Sequence, residues 1–243
     1  FNLHRDHMLH KNDADSVAAW VGSQAEKNVR LIKWQGDNSD SGLHVDDFML
    51  VIMSDQQVSA VRKFCGHDKE AALDSTHGTN AYNFQLTTLM VIDDHGEGYP
   101  GAFCYSTKVD ETSMRVFLSV VRNTLGGPLK DVVLMTDDAE AYANAWCAVM
   151  GPPAHRLLCV WHVDRAWRTN IKAKVRGDGL LKATVYKTLR AILEIRDVDT
   201  FSMKLSAFIE AANEDLKTYE FADYFIKEYA HRPHQWAYCY RIG

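Results

Sequence analysis

The stretch Ala71-Ala72-Leu73-Asp74-Ser75-Thr76-His77-Gly78-Thr79-Asn80 carries a short apolar run onto a carboxylate and then stops among turn-forming residues, the pattern of a strand that presents an acid at its end. A second run, Val132-Val133-Leu134-Met135-Thr136-Asp137-Asp138, does the same just ahead of a helical pattern. Between them the period of two recurs. Phe84 to Ile92 and Ala102 to Thr107 read as strands joined through the polar, glycine-bearing turn Asp93-Asp94-His95-Gly96-Glu97-Gly98, so an antiparallel meander is expected.

Thr112 to Leu125 changes to helical spacing, with Met114, Phe117, Leu118, Val121 and Leu125 on one face and a stop at Gly126-Gly127-Pro128. A helix over Ala139 to Met150, a break at Gly151-Pro152-Pro153 and a strand over Arg156 to Trp161 follow. The order strand, strand, strand, helix, strand, helix, strand predicts an α/β fold, a ribonuclease H-like mixed sheet with flanking helices. Right-handed crossovers place the first and fourth of these strands side by side.

Upstream, Asp13-Ala14-Asp15-Ser16 precedes a short helix from Val17 to Val21, Val29 to Trp34 alternates like a strand, and residues 36–42 are turn-rich. Phe48 to Met53 is a buried run, after which Ser54 is placed to cap a helix reaching Phe64. Residues 1–68 are therefore expected to form a small N-terminal α+β module and 69–176 the core. Residues 177–243 read as an all-helical insertion, with helices over Leu180 to Ile195, Phe201 to Leu216 capped by Asp199-Thr200, and Tyr219 to Tyr229, preceded by a basic, amphipathic helix over Asp164 to Val175.

A chain of 243 residues, 47% hydrophobic and 24% charged, is large enough to bury a core. Five scattered cysteines make no disulfide framework, which predicts reduced thiols in an intracellular compartment. No uninterrupted apolar run approaches the length of a membrane span, so a soluble protein is expected. The net charge of −5 lacks the basic footprint of a nucleic-acid binder, and any such contact must rest on local patches. The start at Phe1 and the close at Tyr240-Arg241-Ile242-Gly243 suggest a piece of a longer polypeptide.

Hard divalent cations take carboxylate oxygens, a few from protein and the rest from water and phosphate, so Asp74 and Asp137 suit a metal site. Singly, each also reads as a strand-end carboxylate, solvated or capping the next helix, and Asp138 is an alternative to Asp137 until the register is known. Cys159-Val160-Trp161-His162 admits three readings: half a zinc site completed by His231 and His234, a nucleophile and its base, or a buried pair that orients the strand. Arg165, Arg168, Lys172, Lys174 and Arg176 interleave with Trp161 and Trp167, either as a phosphate-contacting face or as a solvated helix surface. Ser75 and Thr76 are placed to hydrogen-bond Asp74 or a substrate, though turn residues there need no function.

Taken together, Leu73-Asp74-Ser75-Thr76-His77-Gly78-Thr79-Asn80 with Tyr82, Met135-Thr136-Asp137 leading into Ala141 to Trp146, and Cys159-Val160-Trp161-His162 resemble the transposase domain of Mutator-like elements. The resemblance runs from about Asp46 onward. It implies a ribonuclease H-like core with a D-D-E acidic triad, a C-x-x-H signature and a helical insertion ahead of the glutamate. Mg²⁺ or Mn²⁺ would be held as a pair by Asp74 and Asp137 for cleavage and strand transfer at transposon ends, with Cys159 and His162 as the signature pair. DNA as partner, an oligomeric active complex and a nuclear location follow from the same resemblance. Tyr229-Ala230-His231-Arg232-Pro233-His234-Gln235-Trp236 matches the stretch that precedes the family's glutamate, which places that acid beyond Gly243, so the chain alone is expected to be inactive or nearly so. The alternative is a domesticated module that keeps the fold for DNA or protein contacts without catalysis.

Overall fold

The computed structural model describes residues 12–24, 27–38, 42–66 and 68–241, so the loop expected over 36–42 lies partly outside the described residues. The elements run α1 (Asp13–Gln24), β1 (Val29–Lys33), β2 (Met49–Ile52), α2 (Asp55–Phe64), β3 (Glu70–Thr76), β4 (Gln85–Ile92), β5 (Gly98–Ser106) and α3 (Glu111–Leu125). They continue as β6 (Val133–Thr136), α4 (Glu140–Met150), β7 (His155–Leu158), α5 (Val160–Lys174), α6 (Gly179–Leu193), α7 (Val198–Glu214) and α8 (Tyr219–Phe225). A π turn over Ile226–Ala230 and two 3₁₀ turns, Pro233–Gln235 and Tyr238–Tyr240, close the chain. The strands form one mixed seven-stranded sheet in the order β1-β2-β5-β4-β3-β6-β7, with helices flanking it. The meander β3, β4, β5 is antiparallel as expected, and β6 is the neighbour of β3 in that order.

Packing divides the chain into two compact units, Phe1–Leu134 with Ala139–Ala154, and Met135–Asp138 with His155–Gly243. In the first, β3 alternates as a half-buried strand should. Ala71 and Leu73 are buried in the core while Asp74 is exposed. That core gathers Met49 and Val51 of β2, Leu89 and Val91 of β4, Val58 and Val61 of α2, Met114, Phe117 and Val121 of α3, and Trp146 of α4. β1 and β2 belong to this same sheet, β2 pairing antiparallel with β5.

Local chemistry explains where the elements begin and end. The Ser54 hydroxyl accepts from Gln57 N at 3.3 Å and the Gln57 side chain accepts from Ser54 N at 2.8 Å, a capping box that starts α2. Asp110 accepts from Ser113 N to start α3, and Gly126 at φ 81° ends it in the left-handed conformation a glycine adopts without strain. Gly101 lets α2 lie against β5, since a Cβ there would meet Val61 Cγ2 at 2.4 Å. Pro100 lies where the β4–β5 register shifts opposite Leu89 and Met90 and outside the Phe103 to Ser106 span that pairs with β2. Lys33 of β1 is buried, its Nζ donating to the carbonyls of Trp34, Val45 and Asp47.

The second unit is built from helices, with a core of Trp167 and Ile171 from α5, Leu189 and Leu193 from α6, Phe201 and Leu205 from α7, Phe221 and Phe225 from α8, and Tyr229 and Trp236 beyond it. Several boundaries differ from the sequence expectation, α5 beginning at Val160 rather than Asp164. α7 is capped by Asp197, whose side chain accepts from Thr200 N at 2.8 Å, and Asp199 sits inside the first turn. The helix expected over Tyr219 to Tyr229 widens into a π turn after Phe225.

All five cysteines are free. Burial pushes the Cys65 and Cys104 thiols up to about 12, so neither supplies a thiolate near neutral pH. Among the described residues no helix is long and apolar enough to cross a membrane.

Candidate functional site

In the first unit, Asp74 pairs in register with Thr88 across β3 and β4, and its Oδ1 accepts from Ser75 N at 2.9 Å. Alternation turns Ser75 to the opposite face, where its hydroxyl receives a hydrogen bond from Tyr142 of α4 at 2.7 Å and shares another with Thr87 at 2.6 Å. Ser75 therefore ties β3 to β4 and to α4, so the backbone that carries Asp74 is held from the buried side. The turn after it is organised by Asn80. Its Oδ1 accepts from the backbone N of Tyr82 and of Phe84, both at 3.0 Å, while its Nδ2 donates to Phe84 O at 2.7 Å. The asparagine of the opening stretch is thus the residue that folds the loop back into β4, with Gly78 supplying a φ of 72° on the way.

In the second unit, β6 ends at Thr136, one residue earlier than expected, and half-buried Asp137 opens the connection to α4. Thr136 Oγ1 donates to Asp137 O at 2.7 Å, fixing that peptide. Asp138 is tied elsewhere. Its two carboxylate oxygens accept from Arg232 Nη1 at 2.6 Å and Nη2 at 2.7 Å, the bidentate geometry in which a guanidinium binds best. Arg232 Nε donates to Glu228 O at 2.6 Å. Burial opposes the charge on Arg232, and Asp138 more than offsets it, so the guanidinium is held above its ordinary range. The partner of Arg232 lies 94 residues away in sequence, so no local pattern reveals the pair.

The C-x-x-H stretch is not the end of a strand. β7 stops at Leu158, Cys159 is the N-cap of α5, and Val160 to His162 form its first turn. Cys159 N still donates to Thr136 O at 2.8 Å, but Cys159 O accepts from Val163 N at 3.0 Å, which commits the chain to a helix. Cys159 and His162 line a cavity of about 200 Å³ with Asp138, Tyr224, Glu228 and Tyr229. Burial pushes both tyrosine hydroxyls above their ordinary range, so they remain neutral hydrogen-bonding groups there.

His231 and His234 are exposed and do not line that cavity. Among the described residues no group of three or more His, Cys, Asp or Glu side chains is placed to hold a metal ion. Asp74 and Asp137 are the donor type that a hard cation takes. Mg²⁺ uses one or two carboxylates and draws its remaining ligands from water and phosphate, so that small set suits it.

Along α5, Arg165, Arg168 and Lys172 are exposed and Lys174 is half-buried beside the Tyr224 ring, 5.8 Å from its centroid. Arg168 pairs at 2.7 Å with buried Asp164, which also accepts from the Tyr186 hydroxyl at 2.7 Å and approaches Arg190 at 3.6 Å. Arg176 pairs with Glu220.

Residues 71–166 match the family model described as the MULE transposase domain. The matched segment spans Asp74, Asp137, Cys159, His162 and Arg165. No curated protein matches the chain.

Proposed function

We propose, taking residues 71–166 as the MULE transposase domain they match, that the protein acts in DNA transposition as the metal-dependent cleavage and strand-transfer core of a DDE-type transposase. The observation that carries this is the match itself, because it spans both strand-end aspartates and the C-x-x-H pair in one ordered segment. Asp74 and Asp137 would hold Mg²⁺ or Mn²⁺. Such a metal pair, when bound, activates an attacking oxygen and stabilises the leaving one in phosphodiester displacement. Asp137 is favoured over Asp138 as the ligand because both oxygens of Asp138 already accept from Arg232. Ser75, bound to Tyr142 and Thr87, would keep the Asp74 strand from shifting as charge gathers beside it. Cys159 and His162 support the start of α5, and Arg165, Arg168, Lys172 and Lys174 are the DNA contacts. A nuclear location and an oligomeric active complex belong to the same reading.

Two measurements test it. Asp74→Ala and Asp137→Ala are each expected to weaken Mn²⁺ binding, read by the electron paramagnetic resonance signal of free Mn²⁺, by about tenfold or more, and, in a longer protein that also carries the family's third acid, to abolish Mn²⁺-dependent nicking of plasmid DNA. Unchanged Mn²⁺ binding and nicking in both variants would overturn the assignment. DNA binding by the unaltered protein without Mn²⁺ affinity would replace it with the non-catalytic binding module.

A further inference from the structure

The exposed residues of α5 are Trp161, Arg165, Arg168, Thr169, Lys172 and Ala173. They include three cations and no carboxylate, although the whole chain carries a net charge of −5. Asp164, the acid of this helix, is buried beneath Arg168, where Tyr186 and Arg190 also meet it. Trp161, Arg165, Arg168 and Lys172 stand at steps of four, three and four residues, so they share one stripe of the helix surface about 16 Å long. Lys182 of α6 reaches the far end of the stripe, its Nζ donating to Lys172 O at 3.1 Å.

At the near end, Trp161 is 56% exposed, an unusual position for the largest apolar side chain. Its indole is not idle there. The Arg165 guanidinium lies 5.3 Å from the ring centroid and the edge-on His162 ring 4.8 Å away, which together hold the indole in place at the head of a row of cations.

We infer that this stripe is a seat for unpaired DNA, with a base stacking on Trp161 and the following phosphates running along Arg165, Arg168 and Lys172. The inference rests on the proposed transposase reading and adds the form of DNA bound. A flat aromatic at the head of a cationic row matches a single strand, whose base faces are open, better than a duplex, whose base faces are covered except at its ends. Sixteen ångströms corresponds to several nucleotides at about 3.4 Å each. A neutral apolar partner would gain nothing from the cations, and a purely electrostatic duplex contact would gain nothing from the indole.

The test uses the whole chain, a short oligothymidylate and a blunt duplex of equal length. Trp161→Ala is expected to weaken the oligothymidylate by about tenfold and the blunt duplex by less than about twofold, because stacking contributes only where a base face is open. Trp161→Phe should recover most of that affinity. It should also remove the quenching of tryptophan emission that oligothymidylate causes in the unaltered protein, which has six tryptophans. Arg165→Ala and Lys172→Ala should each weaken both DNAs and lower the salt slope by about one. The variants lie on an exposed surface, so their folding is checked by an unchanged melting curve. Equal loss for oligothymidylate and duplex in Trp161→Ala, or no loss for either, overturns the seat. Because none of these readouts needs metal or cleavage, that failure is distinct from the failure of the Asp74 and Asp137 assignment.

Discussion

The two units solve the packing problem with different materials. The larger buried cluster of the sheet-bearing unit is mostly aliphatic, with Phe117, Tyr142 and Trp146 as its fully buried aromatic members, and its elements are locked by strand ladders in which Leu73 faces Leu89 and Asp74 faces Thr88. The helical unit instead brings Trp167, Phe201, Phe221, Phe225, Tyr229 and Trp236 into one cluster. Trp236 stands edge-on to Trp167 at 5.4 Å and to Phe201 at 5.5 Å, and its indole N–H donates to Tyr229 O at 3.0 Å. A ladder fixes register through the backbone. Helices have no ladder between them, so their arrangement must be specified by the shape and edge-to-face geometry of large rings.

The largest test of that contrast is Trp236→Ala, which is expected to cost about 3–5 kcal/mol in urea unfolding. Hydrogen exchange should then show the amides of α5 to α8 losing protection while those of β3 to β5 keep theirs. Equal loss in both would show that the two cores unfold as one. Next comes Arg232→Ala, with an expected cost of about 1–2 kcal/mol, moderated because the Asp138 side chain is 36% exposed. Arg232→Lys should recover only part of this, since an ammonium cannot make the two parallel bonds, and full recovery would reduce the clasp to a simple charge contact.

The smallest effect concerns the sheet unit. Burial would raise the Asp47 carboxyl, but His44 N–H, Lys108 and the Thr107 hydroxyl outweigh it and hold the group below its ordinary value of 3.8. The folded state thus binds this proton less readily than the unfolded chain, so its contribution is present above pH 3.8 and is lost as the pH falls below it. Urea midpoints of Asp47→Asn should fall less steeply than those of the unaltered protein over that acid range. Parallel curves would mean that Asp47 does not set this part of the pH dependence.

The same contrast explains what could be read in advance. The β3 to β5 meander was legible because period-two burial and the Asp93 to Gly98 turn act within a few residues, and the end of α3 was marked by Gly126. Arg156 to Trp161 misled because Leu157-Leu158-Cys159-Val160-Trp161 holds no turn residue. The change from strand to helix there is made by the backbone bonds of Cys159, not by a side-chain signal. Asp199 and Asp197 are chemically equivalent caps, and only the three-residue reach to Thr200 selects Asp197. At the candidate site the residue types Asp74, Asp137, Cys159 and His162 stood out. The supports did not, because Tyr142 lies 67 residues from Ser75 and Arg232 lies 94 from Asp138.

That last separation has a consequence for the order in which a nascent chain can mature. Residues 135–138 are made early but pack with the unit that ends the chain. At a synthesis rate of about 5–20 residues per second, the 94 residues between Asp138 and Arg232 take roughly 5–20 s to appear. The sheet-bearing unit has all its residues once Ala154 has been made. Until Arg232 has been made, the Asp138 carboxylate lacks the bidentate partner that it has in the folded chain.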